Sequence, residues 1–211
     1  MFGVSDDEKM LIEAVEELSN EVLEPQAAKT DETEEIPHDV IKALANMGVM
    51  GLNLPEEYGG PGVSSVAMTH MVAAVAGGCG STASIVTAHY LATDSVLIGG
   101  TDEQKNAYLP RAASGEVIGA FGLTEPGAGS NPAEMSTKAV RTDNGWHLKG
   151  TKHFITNAGF ADFVVVYAIT DPEAGHRGIS AFLVDTAKVE GIVVGGHEKT
   201  MGLRGSPVYE I

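Results

Sequence analysis

The sequence has 211 residues, which is enough for one large domain or two small ones that each bury a core. Hydrophobic residues make up 43% of it and charged residues 20%, a composition typical of a folded globular protein. The formal net charge of −16 repels phosphate backbones and argues against a nucleic-acid-binding protein. No apolar run approaches the roughly 18 residues of a membrane span. Residues 1–10 carry three acids and one lysine, unlike a targeting segment.

The single cysteine and the distribution of charge narrow the class of protein further. Because Cys79 has no second cysteine to pair with, an intramolecular disulfide and a cysteine-based metal cluster are excluded, which favours a reducing cytoplasm. Residues 1–110 carry 4 basic and 18 acidic side chains, whereas residues 111–211 carry 9 and 11. We interpret the acidic first half as a set of solvated helix faces.

Residues 1–116 are predicted to form an N-terminal all-α helical domain. Capping boxes that begin at Ser5 and Thr101 open the first and last helices, and Pro25 and Pro110 are expected to end those two helices. The glycine- and proline-rich stretch Asn53–Gly62 is predicted to be a loop. The predicted helices cover residues 5–25, 37–48, 63–76, 81–98 and 101–110.

Residues 117–211 are predicted to form a middle β domain, because short segments of period two alternate with glycines from Val117 onward. The dipeptide Asn144-Gly145 is typical of a tight hairpin turn. Strands this short and closely spaced favour a sandwich or barrel over a parallel α/β sheet, so the expected fold class is α+β. The predicted strands cover residues 117–124, 137–142, 146–156, 163–169, 179–184, 192–195 and 208–211.

The last predicted strand, Val208–Ile211, has only begun to alternate when the sequence ends. It has no cap, charged tail or turn to finish it. We therefore expect a β domain that is truncated at its C-terminal end, and a natural terminal strand is the alternative.

The glycine-rich stretch Phe121–Ser130 follows a predicted strand and has the residues of a ligand-binding loop. Its backbone N–H groups and the hydroxyls of Thr124 and Ser130 can contact a phosphate group or a planar heterocycle. A tight turn without chemical function is an equal alternative on spacing alone. The stretch lacks the Gly-x-Gly-x-x-Gly and Gly-Lys-Ser/Thr patterns of the common nucleotide-binding loops.

Five separate segments resemble the acyl-CoA dehydrogenase family. Leu123–Ser130 (LTEPGAGS) is similar to the first signature of the family, and Gly150–Asn157 (GTKHFITN) is similar to the second. Further matches occur in a loop of the helical domain, a middle-domain strand and a later loop, at Asn53–Gly60, Gly178–Val184 and Lys199–Pro207. Because the matches keep the order of the family, the resemblance covers nearly the whole sequence.

The resemblance implies an FAD site that the two signatures form together. In the family, the first loop contacts the flavin ring and pyrophosphate, and the second supplies an aromatic residue and a threonine beside the isoalloxazine. The implied cofactor-binding residues are Phe121, Leu123, Thr124, Gly129, Ser130, Phe154 and Thr156, and Ser130 is also implied in substrate binding. Two positions depart from the family. Phe154 replaces a common Trp and lacks its N–H donor, and Asn131-Pro132 replaces an Asp followed by a small residue.

Other titratable residues are predicted to have structural roles, and no metal site is predicted. His147 and His153 are expected on a solvated strand face. His70 and His89 are expected at packed or exposed helix positions, with the lining of an acyl pocket as the alternative. Glu125 is expected to accept hydrogen bonds from local backbone groups rather than to act as a base.

The implied activity is that of an FAD-dependent acyl-CoA dehydrogenase of fatty acid β-oxidation, which forms a 2-enoyl-CoA and passes electrons to an electron-transfer flavoprotein. In the family, the base that removes the Cα proton lies in a C-terminal helical bundle. No catalytic residue is therefore assigned in this sequence, and the base is expected beyond residue 211. The same bundle assembles dimers or tetramers, so we expect a homo-oligomer, with a homotetramer first. The 211 residues alone are expected to be inactive and to bind FAD weakly or not at all.

Three other functions compete with this one. A flavin oxidase or monooxygenase would keep the fold and change the chemistry, and the sequence hardly separates it from a dehydrogenase. A non-catalytic subunit of a hetero-oligomer is disfavoured because the motifs that contact flavin are intact. A DNA-binding relative such as the alkylation-response proteins is disfavoured by the acidic charge.

Overall fold

The computed structural model describes residues 3–211 and confirms the α+β fold class, with helices first and strands second. The helices are α1 (Asp6–Leu18), α2 (Glu24–Thr33), α3 (His38–Asn46), α4 (Ser65–Gly78), α5 (Gly80–Gly99) and α6 (Asp102–Ala113). The strands are β1 (Gly119–Gly122), β2 (Lys138–Thr142), β3 (Gly145–Lys149), β4 (Ile155–Thr156), β5 (Phe163–Ile169), β6 (Ile179–Asp185) and β7 (Val208–Tyr209). Short 3-10 turns lie in the connections, at Val49–Gly51, Glu56–Tyr58, Pro132–Glu134 and Pro172–Gly178.

Both predicted capping boxes are present. Ser5 Oγ accepts from Glu8 N at 3.2 Å, and Glu8 Oε2 accepts from Ser5 N at 2.8 Å. Thr101 and Gln104 form the same reciprocal pair at the start of α6. Gly48 follows α3 with a φ of 76°, a left-handed conformation that glycine adopts without a steric cost. Local sequence therefore sets these helix ends.

The prediction that Pro25 ends the first helix is wrong. α1 passes into a π-helical turn, Ser19–Leu23, and the chain continues as α2 to Thr33. In this turn Glu24 N donates to Ser19 O, five residues earlier. Pro25 thereby falls in the first turn of α2, where its missing N–H breaks no interior hydrogen bond.

The prediction that Pro110 ends the last helix is also wrong, since α6 runs on to Ala113. Leu109 and Ala112 are fully buried beside Pro110, and Ala113 is nearly so. Burial of these side chains stabilises the last turn and offsets the hydrogen bond that Pro110 cannot make. The helix is followed by a turn that contains Gly115, which has a φ of 70°.

The strands form a mixed sheet around β5, in the order β1–β5–β2–β3, and β6 also pairs with β5. β1 and β2 run parallel to β5, whereas β6 is antiparallel to β5 and β3 is antiparallel to β2. Residues Phe163–Val166 of β5 are buried without alternation, as in a strand covered on both faces. β4 and β7 form a separate two-stranded sheet. The predicted hairpin is present, with Thr142 opposite Gly145.

Two of the predicted strands are wrong. Residues 146–156 form two strands instead of one, because regular pairing ends at Lys149 and the chain bends at Phe154, which has a φ of 58°. Residues 192–195, all inside the described range, form no regular strand. This segment makes one backbone hydrogen bond to the last strand region, from Gly195 N to Glu210 O at 2.8 Å.

Helix α5 packs against the sheet and fixes the first residue of β1, Gly119. A Cβ at Gly119 would lie 2.6 Å from the ring of Phe163, so only glycine fits at this crossing. Gly119 N donates to His89 Nδ1 of α5 at 3.0 Å. Asn157 Nδ2 donates to Ile85 O of α5 at 3.1 Å and to Gly119 O at 3.2 Å. The start of β1 and the segment that follows β4 are therefore both anchored to α5.

None of the helices within residues 3–211 combines the length and the apolar character that crossing a membrane would require. The cytoplasmic location stays a prediction.

Candidate functional site

The stretches Phe121–Ser130 and Gly150–Asn157, called loop A and loop B below, are in direct contact. His153 N in loop B donates to Thr124 O in loop A at 2.9 Å. Lys152 Nζ donates to Leu123 O at 3.0 Å. Two successive carbonyl groups of loop A thus bind loop B, and the two stretches form one connected surface.

Glu125 connects loop A to a third segment and has only 4% of its surface exposed. Its Oε1 accepts from Lys152 Nζ at 2.8 Å and from Thr137 N at 2.9 Å. Its Oε2 accepts from Ser136 N at 2.5 Å and from Ser136 Oγ at 2.7 Å. Glu125 does accept from backbone N–H groups, but the prediction that these groups are local is wrong, because they belong to Ser136 and Thr137, 11 and 12 residues away and immediately before β2.

The surroundings of Glu125 keep it ionised. Burial by itself would raise the pKa of Glu125, but hydrogen bonds from Lys152, Thr137 and Ser136 outweigh burial and lower the pKa to about 2. Burial lowers the pKa of Lys152, and the adjacent carboxylate opposes that shift. Both side chains are only 2% exposed, so solvent does not screen their attraction. Lys152 and Glu125 therefore form a buried ion pair.

Phe154 in loop B presents an aromatic ring to solvent, with 63% of the residue exposed. Its φ of 58° is in the left-handed region, which a bulky residue adopts only when its surroundings hold it there. The ring of His153 lies edge-on to it, with centroids 4.1 Å apart. Carboxylate oxygens of Glu198 and Glu210 lie 3.3 and 3.6 Å from the ring nitrogens of His153. An exposed ring fixed in this way is suited to packing against a planar ligand.

Loop A offers hydrogen-bond donors close to the same contact. Within residues 3–211, the N–H groups of Thr124, Gly129 and Ser130 have no hydrogen-bond acceptor. Gly129 and Ser130 are exposed, and Thr124 is partly exposed. Free N–H groups in a glycine-rich turn bind anionic or polar ligand atoms. This donor set and the exposed ring of loop B fit a ligand that has both a planar ring and phosphate groups.

The remaining predicted site residues are partly buried. Phe121 packs against Tyr167, with ring centroids 5.3 Å apart. Thr156 lies opposite Val208 in the β4–β7 sheet.

A cleft of about 630 Å³ borders loop A, and its walls are formed by Leu123, Asn131, Pro132, Ala133, Tyr167, His176 and Ile179. Of the two departures from the family pattern, the pair Asn131-Pro132 lines this cleft, whereas Phe154 does not.

The later stretch Lys199–Pro207 docks on the helical half of the chain. Arg204 Nε donates to Asp31 Oδ2 of α2 at 3.0 Å. A Cβ at Gly205 would lie 2.2 Å from Thr30 Cγ2, so a larger residue there would push this stretch away from α2. The resemblance singled out this stretch, and the structure gives it a role in joining the two halves.

The histidines differ from one another in environment. His89 is fully buried, as a packed helix position predicts, and burial lowers the pKa of His89 to about 4. His70 and His147 are exposed. The prediction of a solvated face is wrong for His153, whose side chain is 22% exposed and contacts two carboxylates that lie far from it in sequence. Among residues 3–211, no three side chains of metal-binding type cluster closely enough to hold an ion.

Sequence reasoning assigned no role to Lys152 or Asn157, although both lie in loop B. No sequence signal marked Lys152. Period-two alternation would put it on the same side of the segment as Phe154, yet Lys152 is 2% exposed and Phe154 63%, because residues 150–154 form no strand. Asn157 has a φ of 72°, and Asn tolerates this left-handed conformation at the end of a strand.

Comparison with known proteins agrees with this architecture. Residues 5–116 match the N-terminal domain of acyl-CoA dehydrogenase, and residues 120–211 match the middle domain. An acyl-CoA dehydrogenase of Bacillus subtilis (strain 168) is 36% identical over an alignment of 211 positions, which covers 99% of this chain and 55% of the relative.

Solved structures give the same result. Glutaryl-CoA dehydrogenase from Mycobacterium smegmatis in complex with FADH2 superposes with a TM-score of 0.90 at 35% identity, over 98% of this chain and 52% of that one. A chain in the structural study of the electron transferring flavoprotein of Acidaminococcus fermentans superposes with a TM-score of 0.94 at 33% identity, over 100% of this chain and 55% of that one. The chain thus spans about half the length of the proteins it matches, and it belongs to the acyl-CoA dehydrogenase family.

Proposed function

We propose that this chain forms the flavin-facing part of an FAD-dependent acyl-CoA dehydrogenase, which oxidises an acyl-CoA to the 2-enoyl-CoA. The observation that carries the proposal is the contact between loops A and B through Lys152 and His153. That contact brings free N–H groups and an exposed aromatic ring onto one surface. The relative that was solved with FADH2 supports a flavin as the ligand.

Different residues of the two loops would contact different parts of FAD. Thr124, Gly129 and Ser130 would donate N–H and hydroxyl hydrogen bonds to the polar parts of the cofactor. Phe154 would pack against the isoalloxazine ring, and Thr156 would place its hydroxyl near the ring edge. Phe121 and Leu123 would supply apolar contacts, and Ser130 would also contact the substrate.

The chemistry needs a hydride acceptor for Cβ and a base for the Cα proton. FAD, when bound, supplies the acceptor. The carboxylate of loop A cannot serve as the base, because Glu125 is buried, accepts four hydrogen bonds and has its pKa lowered to about 2. We place the base beyond residue 211, so this chain by itself binds and orients without completing the reaction.

The partners and the domain organisation belong to the same proposal. Electrons would pass to an electron-transfer flavoprotein, in keeping with the match to a chain from the Acidaminococcus study. The enzyme would act in fatty acid β-oxidation as a homo-oligomer, with a homotetramer as the first expectation. We divide the chain into a helical domain, residues 1–116, and a middle β domain, residues 117–211.

The test uses the native protein at its full natural length. We expect it to purify with bound flavin, to form 2-enoyl-CoA from acyl-CoA in the presence of an artificial electron acceptor, and to consume little oxygen. Rapid oxygen consumption would identify an oxidase or monooxygenase, and a colourless protein without flavin absorbance would identify a non-catalytic subunit. The isolated 211-residue chain should show no turnover under the same conditions, and clear turnover would show that the base lies within it.

A further inference from the structure

The ion pair between Lys152 and Glu125 joins three segments that are distant in the sequence. The Lys152 ammonium donates to Leu123 O at 3.0 Å and to Glu125 Oε1 at 2.8 Å. The Glu125 carboxylate also accepts from Ser136 and Thr137 at the start of β2. One buried lysine thus fixes loop A, loop B and the entry to the sheet relative to one another.

The two segments that this pair holds carry proposed flavin contacts. Thr124 lies between the two loop A residues that Lys152 binds, and its own carbonyl accepts from His153 N at 2.9 Å. Phe154 is two residues beyond Lys152 in loop B. The spacing between the Thr124 amide and the Phe154 ring therefore depends on where the Lys152 ammonium is held.

We infer that Lys152 is a positioning residue for the flavin, acting through Leu123 O and Glu125 to set the distance between Thr124 and Phe154. This inference rests on the proposed function, because it assigns the two loops to one cofactor. Lys152 itself, only 2% exposed, touches neither the cofactor nor the substrate in this assignment.

A purely structural role is the competing explanation, and the chemistry of buried ion pairs separates the two. Removal of one partner leaves an unpaired charge in the interior and destabilises the fold, whereas replacement of both charges by neutral groups of similar size often leaves stability unchanged. A double variant that restores the fold should still lack the donor to Leu123 O. Stability and flavin affinity are therefore expected to separate in the double variant.

The experiment compares Lys152→Met, the double variant Lys152→Met/Glu125→Gln and the control Lys149→Met, whose lysine is exposed at the end of β3. Each is made in the native full-length protein, and thermal unfolding, FAD affinity and the visible circular dichroism of bound flavin are measured. We expect Lys152→Met to lower the melting temperature and the double variant to recover most of it. FAD affinity should remain about tenfold weaker in both, with an altered flavin dichroism, because the hydrogen bond to Leu123 O is lost.

The outcomes are distinct. A double variant that is stable and binds FAD as the wild type does would overturn the positioning role and leave the proposed function intact. A wild-type protein that binds no FAD would overturn both. If the double variant does not fold, Glu125→Gln alone is measured. Its single amide oxygen can keep the contacts of one carboxylate oxygen, to Lys152 Nζ and Thr137 N, but it is uncharged and holds the ammonium less firmly, and the NH2 group cannot accept from Ser136 N. Unchanged FAD affinity and dichroism in that variant would equally overturn the role.

Discussion

Acidification from pH 7 to pH 4 should destabilise this chain through His89. The imidazole is fully buried, and its Nδ1 accepts from Gly119 N, a hydrogen bond that requires the neutral ring. Burial lowers the pKa of His89 to about 4, from an ordinary value of 6.5. Protonation would place an uncompensated charge between α5 and β1 and remove the acceptor for Gly119.

The size and sign of the effect follow from linkage. The folded state binds a proton at His89 less readily than the unfolded state does. The contribution of neutral His89 to the free energy of unfolding is therefore fully present above about pH 6.5 and is lost as the pH falls toward 4. Each pKa unit corresponds to about 1.4 kcal/mol, so the loss over this interval is about 3 kcal/mol. Inside this interval, the free energy of unfolding changes through this one group by up to about 1.4 kcal/mol per pH unit.

The assay is urea unfolding of the wild type and of His89→Asn at half-unit steps between pH 7.5 and 4. The Asn side chain has its oxygen at the position of His89 Nδ1, so it can accept from Gly119 N without titrating, and the difference between the two proteins isolates His89 from the many carboxylates. We expect the advantage of the wild type to shrink by about 3 kcal/mol across the interval. A difference that is constant with pH would refute the reasoning.

Three substitutions test other contacts. Gly119→Ala should cost about 1–3 kcal/mol in thermal unfolding, because its Cβ would lie 2.6 Å from the ring of Phe163. Glu125→Ala should cost about 3–5 kcal/mol, since it leaves Lys152 charged, buried and unpaired. Phe154→Trp should change stability by less than about 0.5 kcal/mol, because the residue is 63% exposed, and in the full-length protein FAD affinity should be retained or increased.

Matched controls separate these effects from general damage. Gly127→Ala places a Cβ in open space and should leave the melting temperature unchanged, in contrast to Gly119→Ala. Glu190→Ala removes an exposed carboxylate and should have little effect beside Glu125→Ala. If a variant and its control lowered the melting temperature equally, the packing or ion-pair argument for that variant would be contradicted. A strongly destabilised Phe154→Trp would mean that the ring is packed rather than free for a ligand.

Local sequence determined the order of helices and strands and several of their ends. Caps such as Ser5 with Glu8, and a left-handed glycine such as Gly48, act within a few residues, so the pattern alone identifies them. Local sequence also marked loops A and B as distinct motifs. It misplaced the helix ends at Pro25 and Pro110, because a π-helical turn and the burial of neighbouring side chains outweighed the local effect of proline.

Only the tertiary structure decided how the motifs combine. Lys152 and Glu125 are 27 residues apart, and His89 and Gly119 are 30 apart, so neither pair leaves a periodic trace in the sequence. Parallel pairing of β1 with β5 was likewise invisible, since a buried strand shows the same apolar run in either orientation. The sequence by itself thus identified two loops that resemble signatures of the acyl-CoA dehydrogenase family, and only the fold showed that a buried lysine joins them into a single surface.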